Sequence, residues 1–350
     1  MKNYIELIEK LTVAAGASGF EDDVVKEARA YCDGFAATRE NSIRNLYISR
    51  KQNTGGKSVV MLDAHSDEVG FMVKAINPNG TLGFIELGGI RRDRHEGQRV
   101  KVRGRDGKYI PGMISCRPPH FVKDGGNEVL VIDIGATSAQ EVKERFGIRV
   151  GAPCVPDVPF RYDEENDLIF TKAMDCRIGC AALIAVMEAL AEEELAVDVE
   201  GALTSQEEIG DRGALVAAQT IKPQAAIVFE GAPADDTFAP AHEIQTGLRM
   251  GPMLRLIDTS MVTNPRFAEF AIGVAEELGI PVQIAVRSGG GTNGGPIHIT
   301  GDSVPVIVVS VPVRYIHSPN GIATYEDFEN TVKLSVEIIK RLNADVIAGF

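Results

Sequence analysis

The stretch SVVMLDAHSDEVG, residues 58–70, opens on a continuous apolar run and breaks at a histidine, two acids and a glycine. A short aliphatic run bounded in this way reads as a buried strand. Other places in the chain end alike. Asp175 follows IFTKAM, Glu207 and Glu208 follow VEGALTSQ, Glu230 follows AAIVF, and His317 follows VPVIVVSVPVRYI. In an open α/β sheet the carboxyl ends of the strands meet at one crevice, and ligands bind there. Two histidines and several carboxylates collected at such a crevice form the donor set of a two-metal hydrolytic site.

Outward from that stretch the chain changes texture twice. Before it, Tyr4, Ile8 and Leu11 line one face of a helix, and Ser18 with Glu21 has the form of a capping box opening a second helix through Val24, Val25 and Ala28. After Gly70, FMVKAINPNGTLGFIELGG alternates apolar and polar residues around an Asn-Pro-Asn-Gly turn, a hairpin signal. Short strand-like runs continue through KVRGRDGKYIPGMISCRPP and NEVLVIDIGA to about Pro159, with a helical piece over 139–146. From Leu168 the α/β rhythm returns: helices over 180–193 and 265–278, strands over 197–204, 225–229, 282–286 and 304–311, and a closing helix capped by Thr324 and Asp327. The reading is a discontinuous α/β domain, residues 1–70 and 160–350, with a small β-rich domain inserted at 71–159.

Composition narrows the function. The 350 residues carry a net charge of −13 with no basic run, which argues against nucleic-acid binding. No apolar run reaches membrane-spanning length, and the N-terminal stretch has acids inside its apolar pattern, which fits an amphipathic helix better than a signal peptide. Five cysteines, odd in number and without zinc-ribbon spacing, fit reduced thiols in the cytoplasm.

Each candidate residue has a plainer reading beside the chemical one. His65 and Asp67, two apart, would share a strand face; Asp67 can hold the imidazole or cap the next turn. Asp175 can bridge two cations or serve as an N-cap. Cys176 reads as core. Glu207 and Glu208 alone would be a solvated pair, but Gly210 and Gly213 just beyond suit a tight turn, where one carboxylate can hold a metal and the other act as general base. His95, His120, His242 and His298 are weak candidates, the last in a strand-like Ile-His-Ile context. SGGGTNGG, residues 288–295, opens no dinucleotide-type helix and suits close backbone approach to the site.

AHSDEVGF, AMDCRIG, TSQEEIG, FEG and RYIHSP, in this order and at these separations, resemble the dinuclear-metal aminopeptidases that form hollow tetrahedral particles. These are the glutamyl, leucyl, lysyl and deblocking enzymes, some of which once carried the name endoglucanase. The resemblance spans essentially the whole chain. It implies a zinc-exopeptidase-like α/β fold, with a central mixed, mostly parallel sheet flanked by helices, and an inserted dimerisation domain. It also implies two divalent ions, zinc or cobalt, one on His65, Asp175 and Glu230 and the other on Asp175, Glu208 and His317. Glu207 matches the catalytic base and Asp67 the carboxylate behind the first histidine. Short peptides are the implied substrates, and dimers assembling to a dodecamer the implied state. The chain departs from the family pattern at Glu230, where many members have Asp, at Cys176, where a second Asp is common, and at Asn293, where the run is often Gly-Gly-Thr-Asp.

Two rivals stand beside the peptidase: an amidohydrolase or deacylase on the same scaffold, and a glycan hydrolase or binding protein. The absence of Trp and only 6% aromatic residues argue against a sugar-stacking surface. For specificity, GLRMGPMLRLIDTS carries Arg249 and Arg255 in an otherwise apolar segment. Arg255 pairing with an acidic substrate side chain is weighed against both arginines being solvated or paired with surface acids. Arg255 and Thr292 are the candidate substrate contacts.

Overall fold

The computed structural model describes residues 2–121 and 129–350; Asn127 and Glu128, which open one of the strand-like runs, lie outside them. Three strands come first, β1 (Ala36–Glu40), β2 (Leu46–Arg50) and β3 (Val59–His65). Then β4 (Gly70–Ile76), β5 (Leu82–Leu87), β6 (Arg99–Arg103), β7 (Tyr109–Ser115), β8 (Val131–Asp133) and β9 (Pro153–Pro156) close into a barrel in the order β4-β5-β8-β7-β6-β9. After β10 (Arg161–Asp163) and β11 (Leu168–Thr171) come β12 (Asp198–Thr204), β13 (Ala225–Pro233), β14 (Met253–Ile257), β15 (Gln283–Val286), β16 (Val306–Val313) and β17 (Gly321–Ala323).

The large sheet runs β1-β2-β12-β3-β13-β16-β14-β15. Its centre, β12-β3-β13-β16, is parallel, and β1, β2 and β14 add antiparallel pairings toward the edges. Both faces are covered, which is why these strands read as unbroken apolar runs. Along β3, Val60, Leu62 and Ala64 enter the core shared with the helices Ile5–Val13, Asp22–Cys32, Met174–Ala189, Pro265–Leu278 and Tyr325–Arg341. Met61 points the other way, into the core of Arg212–Ile221 and Gly294–His298. The alternation is the period of two inherent in a strand.

The barrel has its own core around Phe71, Phe84, Val100, Val102, Ile114 and Ile132. Its first hairpin turns at Asn77–Gly80, where the Asn77 N–H donates to the Thr81 carbonyl at 2.8 Å. Gly80 has φ +89° and its α-carbon faces the Ala136 carbonyl so closely that a Cβ would come within 2.5 Å, so glycine is required twice over.

The expected α/β class with a small β-rich sheet is what the chain forms. Several local expectations are corrected. Ser18 and Glu21 build no capping box: the helix Asp22–Cys32 has no side-chain cap, and both residues are used by distant partners. The helix expected at 180–193 runs Met174–Ala189, with Asp175 and Cys176 off helical geometry at its start. Ala173, not Asp175, is its N-cap. The run before Asp175 is a strand, but β11 pairs with β10 and β17 in a separate three-stranded sheet. Glu230 lies inside β13, which continues to Pro233. The glycine run ends in the short helix Gly294–His298, so His298 is helical. The closing helix is capped as expected: Thr324 Oγ1 accepts from the Asp327 N–H.

Candidate active site

His65 ends β3, Glu207 and Glu208 follow β12, Glu230 sits near the end of β13, and His317 follows β16. Parallel pairing puts all these ends on one side of the sheet, with Thr204 in register with His65 and Glu230 with Ser310. Asp175 arrives from outside the sheet. The close approach depends on Gly231, where a Cβ would lie 2.6 Å from the Met174 carbonyl.

Asp175 stands between the two histidines. Its Oδ1 is 3.2 Å from His65 Nε2 and its Oδ2 is 3.2 Å from His317 Nε2. His65 Nε2 also faces Glu207 at 3.8 Å and Glu230 at 3.7 Å, and His317 Nε2 faces Glu208 at 3.7 Å. Each ring is turned by its other nitrogen. His317 Nδ1 donates to the Gly89 carbonyl at 3.0 Å, and His65 Nδ1 lies 3.5 Å from Asp67 Oδ1. A carbonyl can only accept, so His317 carries its proton on Nδ1 and its Nε2 lone pair faces the acids when neutral.

Asp67 is fully buried and does more than stand behind His65. Its Oδ1 accepts the Glu207 N–H at 3.0 Å, and its Oδ2 accepts the Glu208 N–H at 3.2 Å and the Ser18 hydroxyl at 2.6 Å. One carboxylate thus fixes the turn that carries both glutamates. Glu21 supports the same turn, accepting the Gln206 N–H at 3.2 Å.

The electrostatics follow from crowding acids out of water. Burial raises Glu208 and Glu230 to about 8; His317 and His65 respectively oppose the rise, and Asp175 adds to it. Burial also holds Glu207 well above the usual range, against His65 and reinforced by Glu230 and Glu208. Burial would lower His317, but Asp175 and Glu208 outweigh it and bring the ring to about 10. Asp175 goes the other way: burial is overcome by His317 and His65, and its carboxyl is held well below the usual range.

The donor set fits divalent cations. Glu208 Oε1 and Glu230 Oε1 are buried without a hydrogen-bond partner. Donor atoms of Asp175, Glu208 and His317 lie within 4.8 Å of one another, as do those of His65, Cys176 and Glu230, and of His65, Glu207 and Glu208. Buried polar atoms of this kind require compensation. The cleft, about 450 Å³, is lined by Asp175, Glu207, Glu208, Glu230 and His317 and completed by Asp211, Arg255, Arg287 and the loop Gly289–Thr292. The fold therefore brings together His65, Asp67, Asp175, Glu207, Glu208, Glu230 and His317.

Arg255 is buried at the cleft wall and paired with Asp258 Oδ2 at 3.2 Å, an oxygen that also accepts the Thr292 hydroxyl at 3.2 Å. Arg249 points away, donating to the Asn166 carbonyl at 2.6 Å. Sequence reasoning missed Asp211, Arg287, and Ser18 and Glu21 in their actual roles. Only Asp211 had a local signal, as a third acid in QEEIGD.

A family model for the M42 glutamyl aminopeptidases matches residues 45–334. The chain belongs to the M42 family. It is a metallo-aminopeptidase by that membership. The glutamyl aminopeptidase of Lactococcus lactis is 30% identical over 355 residues, covering 98% of this chain and 99% of that protein. A TET aminopeptidase from a marine sediment Thaumarchaeota archaeon superposes with a TM-score of 0.93 at 36% identity, over 99% of both chains. The Pyrococcus horikoshii TET1 peptidase, which can assemble into a tetrahedron or a large octahedral shell, matches with a TM-score of 0.86 at 30% identity, over 97% of this chain and all of that one. Among the described residues no helix is long and apolar enough to cross a membrane.

Proposed function

We propose that this M42 enzyme removes N-terminal residues from short peptides with two divalent ions, zinc or cobalt, and Glu207 as general base. His65, Asp175 and Glu230 would hold one ion, and Asp175, Glu208 and His317 the other. The observation that carries this reading is Asp175 directing one oxygen at each histidine. A pair of divalent ions supplies Lewis acidity at such a site and lowers the pKa of the attacking water. Glu207 accepts the proton of that water as it adds to the peptide carbonyl, then returns it to the leaving amine. Asp67 keeps Glu207 on station through its backbone N–H and orients His65. The substrate's free ammonium group is drawn to a cleft walled by Glu207, Glu208, Asp211 and Glu230.

Residues 1–70 and 160–350 form the catalytic domain in this reading, and 71–159 the insert through which dimers form and assemble to a dodecamer in the cytoplasm. Arg255, with Thr292 beside it, would receive an acidic side chain at the substrate's N-terminus. An amidohydrolase on the same scaffold is the second reading, because the acid and histidine set would serve either amide.

A metal-supplemented panel of aminoacyl-p-nitroanilides, N-acylated amino acids and cellulose tests the proposal. Aminoacyl anilides should be cleaved, with activity lost to a chelator and restored by zinc or cobalt. Turnover of N-acylated substrates alone would establish the amidohydrolase instead.

A further inference from the structure

The donor chemistry around Asp175 is uneven. On the His317 side the groups are imidazole and carboxylate only. On the other side, Cys176 Sγ lies within 4.8 Å of donor atoms of both His65 and Glu230, all three residues buried. The thiol now donates to the Phe229 carbonyl at 3.0 Å. Gly179 leaves the sulfur its room, since a Cβ there would come within 2.5 Å of it. A separate observation points to a ligand in the same space: Glu230 Oε1 is buried and has no hydrogen-bond partner.

We propose that Cys176 is a thiolate ligand to the ion held by His65 and Glu230, so that the two halves of the site differ in softness. This deepens the reading of the cleft as a metal site and rests on it. On coordination the S–H bond breaks, its proton leaves to solvent, and a sulfur lone pair passes to the cation. Thiolate favours zinc over manganese or magnesium, whereas imidazole and carboxylate on the His317 side accept the harder ions. The first equivalent of zinc or cobalt therefore fills the Cys176 side.

The test is a titration of the metal-stripped full-length chain with cobalt, followed by absorption spectroscopy. Wild type should develop a near-ultraviolet thiolate-to-cobalt charge-transfer band with the first equivalent. Cys176→Ser should lose the band, and Cys180→Ser should keep it; Cys180 is the other cysteine near His65, donating to its carbonyl at 3.0 Å. X-ray absorption at one equivalent of zinc should find a sulfur shell at ~2.3 Å in wild type, replaced by nitrogen and oxygen at ~2.0–2.2 Å in Cys176→Ser. If Cys176→Ser does not fold, the wild-type spectra and Cys180→Ser decide the question. Visible cobalt bands without a charge-transfer band, together with a shell free of sulfur, would return Cys176 to the core. A stripped chain that takes up no cobalt at all would overturn the metal-site reading itself, and this proposal with it.

Discussion

Glu68 and Asp175 belong to two buried ionic clusters that compensate charge in opposite ways. Glu68 receives Lys172 Nζ at 2.6 Å on both oxygens, with Arg177 at 3.4 Å and the Gly16 N–H at 3.2 Å. Asp175, Glu207, Glu208 and Glu230 have no lysine or arginine ion pair among the described residues, only the two histidines. Taking an ion out of water costs several kcal/mol, so each cluster must find positive charge. The first finds it in the chain itself. Burial pushes the Lys172 ammonium down to about 8, but Glu68 opposes the shift and the charge is retained at neutral pH. The second leaves its acids to protons or to cations from solution, which is what a site that binds metal requires.

The largest effect that separates the clusters is expected at Asp175. Asp175→Asn should strip both ions and abolish activity, because this carboxylate alone faces both histidines. Elemental analysis returning full metal content would show that another residue bridges. Next comes Lys172→Met, which leaves the buried Glu68 carboxylate with Arg177 as its remaining cation. Urea unfolding should show a loss of about 3–5 kcal/mol, the cost of breaking a buried pair, with metal content per folded chain unchanged. An unmoved midpoint would mean that Arg177 suffices.

Glu207→Gln should keep its metals and lower kcat by at least ~10²-fold, the scale of general-base loss. Unchanged turnover would remove Glu207 from the mechanism.

The pH response should also tell the clusters apart. In the stripped protein Glu208 and Glu230 at about 8 and His317 at about 10 lie above their unfolded values. At these three groups the folded chain then holds more protons than the unfolded one, so their contribution to stability is full near pH ~4 and is lost as pH rises through about 8 and about 10. Saturating zinc, which replaces those protons, should flatten the decline. Melting curves with chelator that instead rise from pH 5 to 9 (roughly the window between these values) would contradict the account.

The smallest effect concerns Arg255, a cation of the cleft wall that is already paired within the chain. Arg255→Ala should lower kcat/KM for glutamyl substrates on the order of tenfold, the low end for a hydrogen bond to a charged group, and spare leucyl ones. Asp258 shares the guanidinium, which keeps the loss small. A wild type that prefers leucyl substrates would end this idea without a mutant.

How legible the molecule was depends on the range of each interaction. The helix at 265–278 matched residue for residue, because Asn264, a proline and a terminal glycine punctuate it locally. The first barrel hairpin was also visible, carried by its Asn-Pro-Asn-Gly turn and by alternation. Ser18 and Glu21 misled for the same reason: their spacing is that of a capping box, yet Ser18 reaches Asp67, 49 residues away, and Glu21 accepts the Gln206 N–H, 185 residues away, beside the nearby Gly19 N–H. No local pattern encodes such pairings.

The amino-acid sequence by itself determined that histidines and acids lie at or near the carboxyl ends of buried strands, and that a β-rich block interrupts the α/β rhythm. These follow from periodicity and turn chemistry, which act over a few residues. Tertiary structure alone decided that Asp175 enters from a separate small sheet to face both histidines, and that Asp67 holds the glutamate turn. It also decided that Cys176 lies beside His65 and Glu230 and that Arg255 is paired with Asp258. Those outcomes depend on strand order and on how closely Gly231 and Gly179 let backbone and sulfur approach, which exist only once the sheet is assembled.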